Sequence, residues 1–130
     1  MPDRALVLDT CALIWLVQGS RELSEAALKR IKLAESVYVS PISIWEISLK
    51  VERKQLGLPM APLDWYTKVL RHHNLKQIPL SPSVMVFANQ LPWHHKDPAD
   101  RFIIASAKQE AAAVVTADTK FSLYDIEVFC

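Results

Sequence analysis

The chain has 130 residues, 51% of them hydrophobic and 22% charged, with a net charge of +1. Such a composition excludes disorder, supports a core in one domain spanning 1–130, and does not by itself announce a nucleic-acid binder, although affinity needs only a local basic patch. With only two glycines, Gly19 and Gly57, the glycine-rich phosphate loops of P-loop and dinucleotide-binding proteins are also excluded.

The N-terminal stretch MPDRALVLD has no long apolar run behind a basic tip. It therefore predicts neither a signal peptide nor a membrane span, with the cytoplasm as default location. Residues 4–9, RALVLD, read as a buried strand ending in Asp9. From Thr10 the pattern turns helical, with Leu13, Leu16 and Val17 on one face. Cys11, far from Cys130 and in no metal-type spacing, reads as a small buried apolar residue in a reducing compartment. Ser24 opens a second helix, and VYV at 37–39 is a short strand. Ser40 and Pro41 then suit a cap and first helical residue for PISIWEISLKVERK.

Beyond the break GLPMAP, LDWYTKVLRHH is a helix, LKQIPL a weak strand and SPSVMVFANQL another Ser-Pro helix start. The loop PWHHKDP leads into the long helix ADRFIIASAKQEA. AVVT at 113–116 is a strand and IEVF a last short one. Strands alternating with helices predict a parallel sheet covered on both faces.

Ligands of such sheets bind beyond the carboxyl ends of the strands. Asp9 closes the first strand and Asp118 follows AVVT, so both fall on that edge. Glu46 interrupts an apolar helix, with Ser43 and Lys50 on its face. Asp97 suits the cap of the long helix because Pro98 fits its first position, which leaves Asp100 free for another task. Each acid has an ordinary alternative: a cap for Asp9 and Asp100, a Lys50 pair for Glu46, a turn for Asp118. Four acids in one pocket would repel, at roughly 1 kcal/mol per pair in water at ~4 Å and several at an effective dielectric near 20. Bound cations or raised pKa values relieve that repulsion, and all-oxygen ligation suits Mg²⁺ or Mn²⁺ rather than Zn²⁺.

Other residues read more plainly. His72, His73, His94 and His95 are expected to be exposed, with no carboxylate or cysteine at ligand spacing. Trp15 and Trp45 are expected in the core, while Trp65 and Trp93 suit an interface. Lys50, Arg53 and Lys54 suit either phosphates or a solvated face.

The stretches LVLDTCALIWLV, VYVSPISIWEISLK, HHKDPADRFIIASA and AVVTADTKFSLYDIEV, in this order, resemble the PIN-domain ribonucleases, specifically the toxins of VapBC-type toxin–antitoxin pairs. The resemblance covers nearly the whole chain. It implies a three-layer α/β/α fold with a mostly parallel sheet of four or five strands, and Mg²⁺- or Mn²⁺-dependent cleavage of RNA. The family's acids match Asp9, Glu46, Asp100 and Asp118 as catalytic metal ligands. Thr10, Ser43, Asp97, Arg101 and Thr116 match supporting positions, with Arg101 holding a phosphate or pairing with an acid. A small antitoxin and a homodimer are the implied partners. QEAAAVVT has alanines where relatives often place a turn residue, which blurs the end of that helix.

Two enzyme-like alternatives fail on spacing. A haloacid-dehalogenase-type phosphatase needs a second aspartate two residues after the first, where this chain has Cys11. A phosphoacceptor receiver domain needs an acid pair near its start, which is absent. A binding module without chemistry, its acids serving only as caps, stays open at this point.

Overall fold

The computed structural model describes residues 1–130. Five short strands and six α-helices alternate: β1 (Ala5–Leu8), α1 (Thr10–Gln18), α2 (Glu25–Leu33), β2 (Ser36–Val39), α3 (Ile42–Glu52), α4 (Pro62–His72), β3 (Lys76–Gln77), α5 (Pro82–Gln90), α6 (Pro98–Gln109), β4 (Ala113–Val115) and β5 (Val128–Phe129). A 3₁₀ helix, Thr119–Tyr124, lies between β4 and β5 and was not expected from the sequence. Every strand pairing is parallel, in the order β3-β2-β1-β4-β5.

The period-two alternation of the strands builds the layers. Leu6 and Leu8 of β1, Val37 and Val39 of β2, and Ala113 and Val115 of β4 face one side, against Leu13, Ile31, Ile47, Trp65 and Val69 of α1–α4. Val7 and Val114 face the other side, against Val84, Ala88, Ile103, Ile104 and Phe121 of α5, α6 and the 3₁₀ helix. Strands apolar on both faces belong to a sheet covered on both faces. The result is the expected three-layer α/β/α arrangement, with five parallel strands.

Local chemistry sets the helix ends. Ser24 and Ser81 cap α2 and α5 by accepting from Ala27 N and Val84 N, and Pro82 occupies the first position of α5. Gly19 ends α1 in the left-handed conformation at φ 65°, where glycine carries no Cβ penalty. At the end of α6 that role falls to Ala111, with φ 51°. The alanine-rich turn is therefore made, but by a residue for which it is strained. No helix is long and apolar enough to cross a membrane.

Candidate functional site

β1 is the central strand, and the chain leaves it toward β2 on one side and reaches β4 on the other. That reversal opens a crevice beyond the carboxyl ends of β1 and β4. The register Leu8↔Val115 puts Asp9 and Thr116 side by side at its floor. Thr116 Oγ1 donates to Asp9 Oδ2 at 2.6 Å, and Asp9 Oδ1 accepts from Ala12 N at 2.8 Å, capping α1. Asp118 N donates to Thr116 Oγ1 at 3.0 Å, and Asp118 Oδ1 accepts from Lys120 N at 2.9 Å, capping the 3₁₀ helix. Asp97 Oδ1 accepts from Ala99 N at 2.9 Å and Asp100 N at 3.3 Å, capping α6 behind Pro98. Three helix starts thus converge here, and capping and clustering are the work of the same acids.

Glu46 arrives from the second turn of α3. Thr10 Oγ1 donates to Glu46 Oε1 at 2.5 Å and lies 2.9 Å from Ser43 Oγ. The single Thr10 hydroxyl proton goes to the carboxylate, so Ser43 donates to Thr10. Thr10 and Ser43 are both buried, which fixes the Glu46 carboxylate from below. The cavity, about 250 Å³, is lined by Asp9, Glu46, Asp97, Asp100 and Asp118, with Lys50 as its only ammonium group. Every candidate acid singled out in the sequence borders it.

The electrostatics follow from that imbalance. Burial pushes the Asp9 carboxyl up, opposed by Thr116 and Ala12 N–H and reinforced by Glu46 and Asp118. Burial also raises Glu46, opposed by the Thr10 hydrogen bond. Asp100 is pushed up to about 7, by burial first and then by Asp97, with His95 opposing. Asp118 alone among them is lowered: burial works against it, but the Lys120 N–H and His95 outweigh burial. Carboxylates that resist ionisation in water-accessible space are short of positive charge. The donors are hard oxygens, and the set fits Mg²⁺ or Mn²⁺ better than a softer metal.

Several expectations are corrected. His95 is buried, not exposed, and its Nε2 lies 2.8 Å from Asp118 Oδ2 and 3.0 Å from Asp100 Oδ2. It sits in a loop, so helical ligand spacing did not reveal it; its place two residues before the Asp97 cap is the signal that was there. Arg101 neither holds a phosphate nor pairs with an acid. It is buried and donates to four carbonyls: Ala88 at 2.6 Å, Leu91 and Pro92 at 2.9 Å each, and His95 at 3.0 Å. These lie at and beyond the end of α5, where a cation meets the negative end of the helix. Trp93 is exposed and stacks on Arg101 at 3.5 Å. Trp65 is buried, Trp15 is half-buried and Trp45 is exposed, nearly the reverse of the expected order. Cys11 is exposed and borders the acid cavity, while Thr10, Ala12 and Leu13 around it are buried.

Comparison with known proteins agrees with this geometry. The PIN domain model matches residues 6–127. Ribonuclease VapC22 of Mycobacterium tuberculosis is 30% identical over 116 residues, 88% of each chain. Among solved structures, FitAcB from Neisseria gonorrhoeae has a TM-score of 0.63 at 25% identity, covering 96% of each chain. VapBC2 from Rickettsia felis, bound to a DNA fragment from its promoter, has a TM-score of 0.69 at 16% identity, covering 96% of this chain and 97% of that one. Acids gathered at the switch point of a five-stranded parallel sheet, and a family match over almost all the chain, place this protein in the PIN-domain family, of the VapC type.

Proposed function

We propose that this chain, as one PIN domain over 1–130, is a divalent-metal-dependent endoribonuclease and the toxin of a toxin–antitoxin pair. The observation that carries the reading is the convergence of Asp9, Glu46, Asp97, Asp100 and Asp118 on one cavity with a single lysine. The name of its M. tuberculosis relative, a ribonuclease, supports the substrate class.

Asp9, Glu46, Asp100 and Asp118 would hold one or two Mg²⁺ or Mn²⁺ ions. When bound, these cations supply an activated water and neutralise charge on the phosphodiester, leaving a 5′-phosphate and a 3′-hydroxyl. Thr116 and the Ala12 N–H keep Asp9 in one orientation, and Thr10 with Ser43 does the same for Glu46. Lys50, at the cavity wall, meets the RNA phosphate and steers it in. Asp97 adds negative charge beside Asp100, and a bound cation would offset that repulsion.

The partner side of the proposal rests on a second feature. An apolar groove of about 510 Å³, lined in part by Ile42, Trp45, Leu49 and Phe102, shares Glu46, Lys50 and Asp97 with the acid cavity. A helical antitoxin tail seated there blocks RNA from the acids. The likeness to the solved FitAcB and VapBC2 supports an antitoxin partner. A second copy of this chain, using exposed apolar side chains such as Met85 and Val86, completes the expected dimer.

The test uses the purified chain, free of any partner, with total RNA and Mn²⁺ or Mg²⁺, beside an EDTA control and Asp9→Asn. Cleavage that needs the metal and Asp9, with 5′-phosphate ends, is expected. Metal-independent cleavage, or none from either protein, overturns it. Calorimetric titration with Mn²⁺ separates a nuclease from a binding module whose acids are only caps.

A further inference from the structure

We propose that His95 is a positioning residue of the acid site: with Nδ1 engaged by the Asp97 N–H and Nε2 donating to Asp118 beside Asp100, it sets the placement of Asp118 against Asp100 and stays out of the cation's ligand shell. The inference rests on the metal-dependent reading above and adds a residue to it.

The tautomer follows from hydrogen-bond bookkeeping. Asp97 N lies 3.2 Å from His95 Nδ1. A backbone N–H can only donate, so Nδ1 must present its lone pair. The ring proton is then on Nε2, directed at Asp118 Oδ2 at 2.8 Å, with Asp100 Oδ2 3.0 Å from the same nitrogen. Ligation of a cation through Nε2 would move that proton to Nδ1, where two donors would face each other across the Asp97 contact. The imidazole is therefore a donor to Asp118, in contact with Asp100, and not a third ligand beside them.

The ring is also built in. His95 N donates to Tyr124 Oη at 2.6 Å, and His95 O accepts from Arg101 Nη1 at 3.0 Å. Tyr124 Oη in turn donates to Pro92 O at 2.8 Å, closing the loop on itself. The imidazole packs edge-on against the fully buried Phe121, with ring centres 5.8 Å apart. Asp100 and Asp118 come from different elements, the first turn of α6 and the cap of the 3₁₀ helix, and no hydrogen bond joins them directly. The Asp100 carboxylate lies 3.0 Å from the same imidazole nitrogen. Donors of this kind, touching ligands rather than metal, typically change affinity by about ten- to a hundredfold when removed.

The experiment is Mn²⁺ binding to the full chain by calorimetry and electron paramagnetic resonance, for wild type, His95→Phe, His95→Gln and Asp9→Asn, with folding checked by circular dichroism. His95→Phe keeps the edge contact to Phe121 but loses the donor, and its Mn²⁺ dissociation constant should rise about ten- to a hundredfold. His95→Gln restores an N–H toward the acids and should recover most of that loss, an outcome that a merely space-filling role for His95 does not produce. Wild type loaded with Mn²⁺ should lack the nitrogen coupling of a directly bound imidazole. Equal Mn²⁺ affinity in His95→Phe and wild type overturns the positioning role alone, as does a bound-nitrogen signal, or a His95→Gln protein that folds but binds no better than His95→Phe. If His95→Phe fails to fold, the Gln variant and the wild-type spectrum still decide. Wild type that binds Mn²⁺ no better than Asp9→Asn defeats the metal reading, and this inference with it.

Discussion

Two buried charged regions sit a few residues apart, and they are built on opposite plans. Around Arg101, one guanidinium meets four carbonyl oxygens and a tryptophan face. Its positive charge is used up within the fold. Around Asp9, five carboxylates meet one lysine, and burial raises Asp9, Glu46 and Asp100. Negative charge there is left over. A satisfied buried ion holds structure together, whereas an unsatisfied cluster costs stability and is kept for what it binds. The two regions meet in His95, whose backbone is pinned by Arg101 and Tyr124 and whose ring serves the acids.

The sharpest way to break this contrast is Asp9→Asn. Asparagine still caps α1, so the fold should survive with an undiminished melting temperature. Metal-dependent cleavage should fall by about a thousandfold or more, the scale of losing a charge partner at the reacting centre. Retention of most of the activity would place the chemistry elsewhere. Arg101→Met should behave in the opposite way. Stranding four carbonyls should lower unfolding free energy by about 3 kcal/mol in urea titrations. A stable Arg101→Met protein would mean that the carbonyl cage is not structural.

The pH dependence sharpens the contrast further. In the unfolded chain these carboxyls titrate near ~4, and Asp100 in the fold near about 7. At pH below ~4 both states are protonated and the group contributes nothing. Between those values the native state keeps a proton that the unfolded chain has lost. Stability of the cation-free protein therefore falls as pH rises through this window, and the full penalty stands above it. Asp118, lowered in the fold, works in the other direction and only on acidification below its unfolded value. Melting curves in EDTA should show the decline, and Asp100→Asn should flatten it. Mn²⁺ at a hundredfold above its dissociation constant should add about 2–3 kcal/mol where the acids are ionised and less at acidic pH. Equal Mn²⁺ stabilisation at both ends of the window would contradict the charge argument.

The smallest effect lies outside both regions. Ala111→Gly relieves a left-handed alanine and should stabilise the fold by about 0.5–1 kcal/mol. Mn²⁺ affinity should not move. A shift in affinity would show that strain at the end of α6 reaches the acids.

Much of the site was legible in the residues because its acids sit at punctuated places. Asp9 follows a run of aliphatics, Asp97 precedes a proline and Glu46 breaks an apolar helix, and each is conspicuous within a few neighbours. Arg101 was misread because it stands beside Asp100, and adjacent residues on a helix point different ways. Its partners, Ala88 to His95, are backbone carbonyls, and no side-chain pattern announces them. Trp45 and Trp65 exchanged their expected places because apolar surroundings in sequence do not say which side of a helix meets the sheet.

Alternation along β1, β2 and β4, the proline and serine helix starts, and the scarcity of glycine were enough to determine a parallel, two-sided sheet with acids at its carboxyl edge, since these are short-range preferences written within a turn or a strand. Tertiary structure alone decided that His95 would meet Asp118 and Asp100, that Arg101 would close the end of α5, and that Cys11 would face the cavity rather than the core. Those outcomes depend on how separate elements are juxtaposed, and the burial of a charge is a property of everything packed around it.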